Sequence, residues 1–463
     1  MKSEEVVSML DIGRISLKQR VFSAGLWSVV SFSLNMILRF GSSMLMTRLL
    51  KPEMFGVMAI ATTIMVGLAM FSDVGLKQNV VQSSRGSESS YLNTAWSVQI
   101  VRGFVLWIFA LLVSLGIFLA NRNGYVTADS VYAAQSLPYV ISVLSVAAVI
   151  GGFESTKLFE ASRGLALGPI TRIEIIAQIL GLLCMIAWTF YERSIWALVA
   201  GSIFASIVRA ILSHTLISGV SNRWEWEKTA VYEFIHFGKW IFFASILGFL
   251  VNSGDRLILG GLVNSTVLGL YVIASLIATS VEGILSRIMN DVSFPAFSEV
   301  VRERRADLKQ IYYRFLFAIA SVAYFSAGFF IVSGQSLIDL LYDRRYAMAG
   351  PMLEVLSSIL LTIPFRLATQ SFLALGKPSL QTNIVFVRLI VLFAGTPVAF
   401  HLLGLSGAIA AITISHFTAV PIIVFYNIRH QLFDLRKEIY MLSFVPAGAL
   451  VGKLFSLAVN FLR

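Results

Sequence analysis

The residues most able to do chemistry in this chain are ionisable side chains inside long apolar runs. Seven are arginines and three are acids: Arg39, Arg102, Arg209, Arg256, Arg287, Arg366 and Arg388, with Asp73, Asp255 and Glu282. A charge inside a membrane segment is costly, so each is expected to face a polar cavity or a partner. A guanidinium binds phosphate through two parallel hydrogen bonds. The arginine excess therefore predicts a cavity for an anion such as a pyrophosphate group.

Five of the arginines are the stronger candidates for contact with a bound anion. Arg102 and Arg209 lie near the ends of their runs, where a long side chain can reach the membrane surface. The predicted substrate-binding set is Arg39, Arg256, Arg287, Arg366 and Arg388. The alternative for any one of them is an ion pair with a neighbouring acid.

The three acids admit two interpretations. Asp73, Asp255 and Glu282 are candidates for gating or for binding a coupling ion, H⁺ or Na⁺, because acids inside membrane helices form proton relays and ion pathways. They can equally be passive counter-ions of the arginines. The histidines show no metal spacing, and His401 and His416 are interpreted as hydrogen-bonded structural residues. No Gly-rich phosphate loop is present, so neither a cofactor nor ATP hydrolysis is expected.

The composition indicates what surrounds these groups. Of the 463 residues, 57% are hydrophobic and 13% are charged, against roughly 25% charged in a soluble domain. Apolar runs of about 20 residues match the length of membrane helices, the form that satisfies the backbone in lipid. The net charge of +11 does not require nucleic acid, because the basic residues fall mainly in short loops. The chain is predicted to be an all-α membrane protein.

Thirteen apolar segments predict membrane helices, within a range of 12 to 14. They span residues 22–46, 55–76, 94–120, 131–152, 172–191, 195–218, 237–262, 267–289, 311–333, 352–375, 382–402, 406–427 and 440–462. The predicted organisation is a cytoplasmic amphipathic lead-in (1–21), a six-helix bundle (22–220), a cytoplasmic linker (221–236), a second six-helix bundle (237–430) and an additional C-terminal helix (431–463).

The distribution of Lys and Arg predicts the orientation. With the N-terminus inside, alternate loops carry nineteen basic residues on the inner side and seven on the outer side. Basic residues accumulate in cytoplasmic loops. We therefore expect a cytoplasmic N-terminus, with residues 153–170 and 291–310 inside and residues 334–350 outside.

The second half of the chain repeats the first at a gapless offset of 213 residues. Nine identities fall within forty positions: Gly25/Gly238, Trp27/Trp240, Leu34/Leu247, Gly41/Gly254, Leu49/Leu262, Gly56/Gly269, Ile60/Ile273, Ala61/Ala274 and Ile64/Ile277. Six helices separate the copies, so both start on the same side of the membrane. This predicts two pseudo-symmetric six-helix bundles around a central cavity, as in alternating-access transporters. The offset also suggests two gate pairs, Asp73 with Arg287 on the inner side and Arg39 with Asp255 on the outer side.

Several short segments resemble the multidrug/oligosaccharidyl-lipid/polysaccharide (MOP) exporter superfamily, in particular its polysaccharide transport branch. They are Thr47–Gly56 (TRLLKPEMFG), Phe71–Gly75 (FSDVG), Gly254–Gly260 (GDRLILG), Leu268–Tyr271 (LGLY), Phe294–Phe297 (FPAF) and Leu375–Pro378 (LGKP). The stretch from Leu340 to Leu353 is similar too, although the family usually has Gly and Trp where this chain has Asp343 and Tyr346. The similarity follows the family's order over nearly the whole chain.

The resemblance implies a MATE-like fold and a flippase, not an enzyme. Its substrate would be an undecaprenyl-pyrophosphate-linked oligosaccharide repeat unit, moved across the bacterial inner membrane for exopolysaccharide, O-antigen or capsule synthesis. A polysaccharide polymerase and a chain-length regulator are possible partners, and a monomer in contact with membrane lipids is expected. The alternatives are a membrane-embedded polymerase or ligase, which would need a larger outer loop, and a cation drug exporter, which would need an acidic cavity.

Overall fold

The computed structural model describes residues 17–73, 75–164, 166–375 and 379–461. Every regular element in these ranges is helical, with no strand among them. This follows from the composition, because a helix satisfies its backbone N–H and C=O groups within one segment and therefore tolerates lipid on all sides.

The first half contributes nine α-helices to the described part of the chain. They are α1 (Leu17–Leu49), α2 (Pro52–Phe71), α3 (Leu76–Gln82), α4 (Ser89–Arg122), α5 (Ser136–Leu144), α6 (Val146–Gly152), α7 (Lys157–Arg163), α8 (Leu167–Tyr191) and α9 (Trp196–Thr215), with a 3₁₀ turn at Val131–Ala133.

The second half is longer and more often interrupted. Its α-helices are α10 (Lys228–Leu262), α11 (Ser265–Ile288), α12 (Phe294–Glu303), α13 (Leu308–Leu341), α14 (Ala349–Leu356), α15 (Ile363–Ala374), α16 (Ser379–Ile390), α17 (Thr396–Phe417), α18 (Ala419–Arg429), α19 (Leu435–Leu442) and α20 (Phe444–Phe461). Two π-helical turns (Met289–Ser293, Val391–Gly395) and three 3₁₀ segments (Arg305–Asp307, Arg344–Tyr346, Ser357–Thr362) connect some of them.

Nine helical stretches of the described chain are long and apolar enough to cross a membrane, or ten if the bent pair at 136–163 is one span. Helices α1 and α10, of 33 and 35 residues, are each about 50 Å long at 1.5 Å per residue, more than a bilayer core. The stretch Asn383–Arg429 is broken at Gly404, whose φ of 66° and ψ of −150° are not helical. That break lies between the predicted helices 382–402 and 406–427. The multi-pass membrane architecture is confirmed, and the total of thirteen stays a prediction.

Three boundaries differ from the sequence prediction. Helix α13 continues to Leu341 instead of ending at residue 333, because Gln335 and Asp339, which lowered the hydropathy, hydrogen-bond to each other at 2.9 Å within the helix. The predicted outer loop 334–350 therefore shrinks to residues 342–348. Helix α10 begins at Lys228, inside the predicted linker 221–236. Helix α1 begins at Leu17, and residues 1–16 of the predicted lead-in lie outside the described residues.

The two halves meet where α1 turns into α2 and α10 turns into α11, which we call the hairpin end. A Cβ atom added to Gly56 would lie 1.9 Å from the carbonyl oxygen of Ser265, and one added to Gly269 would lie 2.0 Å from that of Pro52. Under the offset of 213, Gly56 corresponds to Gly269 and Pro52 to Ser265. The contact is therefore reciprocal, and glycine at both positions allows α2 and α11 to touch through their backbones.

Side chains from the loop after α13 close the hairpin end further. The guanidinium of Arg345 donates to the carbonyl of Thr47 at 3.0 Å, and the hydroxyl of Tyr346 donates to that of Leu50 at 3.2 Å. Asp343 pairs with Arg345 and holds its fork in place. The Arg345 guanidinium in turn lowers the pKa of the Asp343 carboxyl. This loop of the second half thus fastens the last turn of α1.

At the other end of the molecule, the linker between the halves is bound to the start of α4. Arg85 donates to both carboxylate oxygens of Glu227, at 2.8 and 2.9 Å, and to Glu88 at 2.9 Å. Glu225 accepts hydrogen bonds from Ser90 at 2.5 Å and from Asn93 at 2.9 Å, and these bonds lower its pKa. Hydrogen bonds from Thr229 and Arg85 lower the pKa of Glu227 in the same way. The linker is therefore part of the first half's structure.

Candidate functional site

A polar cavity of about 360 Å³ lies among the helices of the second half. Its lining comes from α10, α11, the end of α14 with the 3₁₀ segment after it, α15, α16 and α17. The polar residues that line it are Asn252, Asp255, Arg256, Tyr271, Ser275, Thr279, Glu282, Ser286, Arg366, Arg388 and His416. A second cavity of about 480 Å³ adjoins it and shares Val251, Asn252, Arg366, Arg388 and His416.

The charged residues of the cavity are spread along the length of the helices. Asp255 is seven residues from the end of α10 at Leu262, about 10 Å along the helix, and Glu282 is seventeen residues from the start of α11 at Ser265, about 26 Å. These depths fall within a hydrocarbon core of about 30 Å. Asp255 and Glu282 are therefore set back from the hairpin end by about 10 and 26 Å.

Five of the eight residues singled out in the sequence line this cavity. They are Asp255, Arg256, Glu282, Arg366 and Arg388. They come from four helices of one half, so the tertiary fold and not sequence proximity brings them together. Three guanidinium groups against two carboxylates leave a formal charge of +1, with His416 neutral.

Glu282 and Arg366 form an ion pair across the cavity, between α11 and α15. The carboxylate is 18% exposed and the guanidinium 38% exposed, so the carboxylate is the more deeply placed partner. The alternative that we considered for each arginine, an ion pair with a neighbouring acid, therefore holds for Arg366. The rest of its guanidinium still lines the cavity.

Arg388 is held by neutral partners. Its Nη2 donates to Nε2 of His416 at 2.7 Å and to the carbonyl of Val251 at 3.3 Å. Because Arg can only donate, Nε2 of His416 accepts and the imidazole proton is on Nδ1. His416 is thus hydrogen-bonded, as predicted. The π-helical turn Val391–Gly395, of a kind found frequently at functional sites, begins three residues after Arg388.

Three polar atoms in this region are buried and have no hydrogen-bond partner among the described residues. They are Oδ1 of Asp255, Nε of Arg256 and Nε of Arg388. The other carboxylate oxygen of Asp255 accepts from the hydroxyl of Tyr271 at 2.5 Å. Buried polar groups in native proteins are nearly always paired, so orphaned ones call for an explanation such as a ligand. Two orphaned N–H donors on guanidinium groups fit an anion, and one orphaned carboxylate oxygen fits a cation or a proton.

The other three candidates lie outside the lining of this cavity. The sequence predicts that Asp73 lies inside a helix, but α2 ends at Phe71 and the Asp73 carboxylate accepts from the backbone N–H of Gly75 at 2.9 Å. Gly75 has a φ of 62°, which breaks the helix there. Arg287 is exposed and pairs with Asp291 at 3.1 Å. Arg39 is within electrostatic range of Arg256.

Two residues of the predicted gate pairs have other partners in this state. Asp255 binds Tyr271 and Arg287 binds Asp291, so both pairs stay predictions. The sequence does not single out three features of this cavity, which are Tyr271, Asn252 and the hydrogen bond between His416 and Arg388. Tyr271 was visible only as part of the LGLY segment, and nothing in the chain order connects His416 to Arg388, 28 residues away.

Comparison with known structures identifies the class of this fold. A multidrug resistance MATE family transporter of the MOP superfamily, in an inward-facing conformation, matches with a TM-score of 0.63 at 12% identity, over 93% of this chain and 95% of that one. The lipid II flippase MurJ, in an inward closed conformation, matches with a TM-score of 0.66 at 11% identity, over 95% and 97%. The chain has the same fold as these two proteins, as its sequence segments predicted.

Sequence comparison identifies the family. The profile described as polysaccharide biosynthesis protein matches residues 45–351, and the chain belongs to this family. The lipopolysaccharide biosynthesis protein WzxC of Escherichia coli (strain K12) is 22% identical over 352 residues, or 74% of this chain and 67% of WzxC. The succinoglycan biosynthesis transport protein ExoT of Rhizobium meliloti (strain 1021) is 20% identical over 333 residues, or 72% and 64%. The predicted membership in a family of polysaccharide biosynthesis proteins is confirmed.

Proposed function

We propose that this protein is a flippase that moves lipid-linked oligosaccharide repeat units across the bacterial inner membrane for polysaccharide synthesis. The observation that carries the proposal is the pair of buried, unpartnered guanidinium N–H groups of Arg256 and Arg388 in a polar cavity among the helices. The pyrophosphate of an undecaprenyl-linked sugar is an anion that accepts such bonds. The family match and the names of WzxC and ExoT support the same substrate class.

The three cavity arginines have different roles in this proposal. Arg388 is oriented by His416 and Val251, and Arg256 has an unpaired Nε, so these two bind the pyrophosphate directly. Arg366 is neutralised by Glu282 and contributes through the unpaired side of its guanidinium. Arg39, on α1, adds positive charge from the first half when the halves approach.

Transport proceeds by alternating access in this proposal. The reciprocal glycine contact closes the hairpin end in the state described, and its separation would open the cavity to the other side of the membrane. With the N-terminus in the cytoplasm, the hairpin end is the outer end. Asp255, with one orphaned oxygen, is the candidate to bind the coupling H⁺ or Na⁺. Glu282 is the second candidate, and its exchange of a proton or ion would release Arg366.

The test uses single substitutions in a strain that lacks the chromosomal copy. Arg256→Ala and Arg388→Ala should leave lipid-linked repeat units on the cytoplasmic face, and Arg→Lys at each site should restore part of the transport, since Lys keeps the charge but loses the fork. The measurement is the accessibility of the lipid-linked sugar to a membrane-impermeant reagent in oriented vesicles. Arg209→Ala is a matched control, because Arg209 lies outside the cavity and pairs with Glu154 at 3.2 Å.

Two outcomes would contradict the proposal. If the units reach the outer face in the null strain but remain unpolymerised, the chain would be a polymerase or ligase. If both Ala variants transport as well as the control at equal abundance, the cavity does not bind the pyrophosphate.

A further inference from the structure

A basic groove lies outside the transport cavity, between the first turns of α13 and the short helix α19. It is lined by Gln310, Tyr313, Arg314, Phe317, Arg436, Lys437, Tyr440 and Met441, with a volume of about 560 Å³. None of these residues lines the cavity of the candidate site. The groove is at the end of the molecule opposite to the hairpin end, because α13 starts there at Leu308 and reaches residue 342 at the hairpin end.

Close helix packing fixes the shape of the groove. A Cβ added to Gly328 of α13 would lie 2.0 Å from the carbonyl oxygen of Val445, and one added to Gly448 of α20 would lie 2.0 Å from that of Phe325. The backbones of α13 and α20 are therefore in contact, and α19, immediately before α20, is held beside the start of α13. Lys309 donates to the carbonyl of Phe433 at 3.1 Å and fastens the preceding turn.

The cations of the groove outnumber the acids that could neutralise them. Lys437 is 3.6 Å from Asp434 and lies 4.7 Å from the centre of the Tyr313 ring, and Glu438 accepts from the Tyr313 hydroxyl at 3.3 Å. Arg314 and Arg436 are exposed and form no ion pair with any residue that the structure describes. The groove therefore presents two uncompensated guanidinium groups and a lysine shared with one carboxylate.

Apolar side chains border these cations directly. Phe317 is 43% exposed on α13, and Leu435, Ile439 and Tyr440 are 58 to 63% exposed on α19. A helix with apolar and basic faces next to the start of a membrane span lies in the bilayer interface. Acyl chains would cover the apolar side chains there, and headgroup phosphates would be at the level of the guanidinium groups.

We propose that this groove is a binding site for the headgroup of an anionic glycerophospholipid from the surrounding leaflet. An anionic head next to two acyl chains matches two free guanidinium groups next to exposed apolar side chains. Basic pockets between membrane helices are known to hold anionic headgroups. A free phosphate would satisfy the cations but leave the apolar border in water, so the membrane lipid is the source.

The test is a titration of the purified full chain in detergent with dioleoyl phosphatidylglycerol or dioleoyl phosphatidylcholine, counting bound lipids by native mass spectrometry. Each basic residue near an anionic surface is worth about a fivefold change in affinity. Arg314→Gln with Arg436→Gln should therefore weaken phosphatidylglycerol binding by about 25-fold. Arg304→Gln with Arg305→Gln removes the same charge from exposed positions outside the groove and should change it by less than about twofold.

The unfolding temperature in phosphatidylcholine shows whether each variant is folded. The double variant Arg314→Lys with Arg436→Lys keeps both charges and should retain most of the affinity for phosphatidylglycerol. The proposal is overturned if the Gln double variant binds phosphatidylglycerol as tightly as wild type. It is also overturned if phosphatidylcholine binds equally well, if inorganic phosphate displaces the lipid at equal concentration, or if the control pair loses as much binding as the groove pair. A transport defect is not part of this readout, so the result is independent of the flippase proposal.

Discussion

Replacing Gly56 with alanine should force the two halves apart at the hairpin end. The added Cβ would be 1.9 Å from the carbonyl oxygen of Ser265 and 2.8 Å from its carbon. An ordinary C···O contact is about 3.3 Å, so α2 and α11 must separate by about 1.4 Å at this point. The obstructing atoms are backbone, and no side-chain rotation relieves the clash. Overpacking of this kind costs about 1 to 3 kcal/mol, which shifts an equilibrium between closed and open hairpin ends by roughly 5- to 150-fold.

The assay is a distance measurement between spin labels at Lys51 and Thr266, which are exposed at the hairpin end. The background is Cys184→Ala, because Cys184 is the single cysteine of the chain. Gly56→Ala should increase the population of molecules with a long distance between the two labels and decrease the population with a short distance. Gly269→Ala should do the same, since its Cβ would be 2.0 Å from the carbonyl oxygen of Pro52.

Gly116→Ala and Gly248→Ala are the matched controls, because a Cβ at either position meets no atom within 4 Å. Both should leave the distance distribution unchanged. The reasoning is refuted if Gly56→Ala gives the same distribution and the same unfolding temperature as these controls. The backbone contact of α2 with α11 would then not hold the hairpin end closed.

Three further predictions concern the ion pair, the orientation and the linker. Glu282→Gln should lower the free energy of unfolding by about 1 to 2 kcal/mol, a smaller loss than for a fully buried ion pair because the Arg366 side chain is 38% exposed. The double variant Glu282→Gln with Arg366→Gln should recover the lost stability in thermal unfolding. If it does not, the two residues are not energetically coupled. Reporter fusions should place residues 153–170 and 291–310 in the cytoplasm and residues 342–348 outside, and finding both basic segments outside would overturn the orientation. The lowered pKa of Glu227 means that its bonds stabilise the linker above the ordinary carboxyl pKa and are lost as pH falls through the lower pKa of the folded state. Limited proteolysis of the linker should therefore increase in acid for wild type. In Arg85→Gln it should already be higher at neutral pH and should rise less in acid, because only the Thr229 bond to Glu227 remains to titrate.

The sequence was sufficient for the class of fold and for several of the charged residues that line the cavity, for identifiable reasons. Apolar length alone predicts membrane helices, and a charge inside such a helix predicts a cavity, so Arg256, Arg366 and Arg388 were found. The hydropathy pattern also places the end of α13 eight residues too early. A hydropathy scale counts Gln335 as polar and takes no account of its hydrogen bond to Asp339, one helical turn away.

The remaining parts of the site depend on tertiary structure. Asp73 looked like an intramembrane acid because the left-handed turn at Gly75 is not visible in a hydropathy window. The bond of Arg388 to His416 depends on how α16 packs beside α17, and no local pattern encodes that geometry. Periodicity and charge therefore locate ionisable groups, whereas their pairing has to be read from the fold.

The reciprocal glycine contact at the hairpin end is the geometry of a homodimer interface, now contained in one chain. In a two-fold dimer, a single residue makes the same contact twice, as Gly56 and Gly269 do here under the offset of 213. Because both halves are on one chain, two matching positions need not carry the same residue. The positions that match Asp255, Arg256 and Glu282 are Ser42, Ser43 and Ala69. The reciprocal contact therefore uses matching positions of both halves, whereas these three charges occur in one half only, so the residues that close the hairpin end follow the repeat and the residues that line the cavity do not.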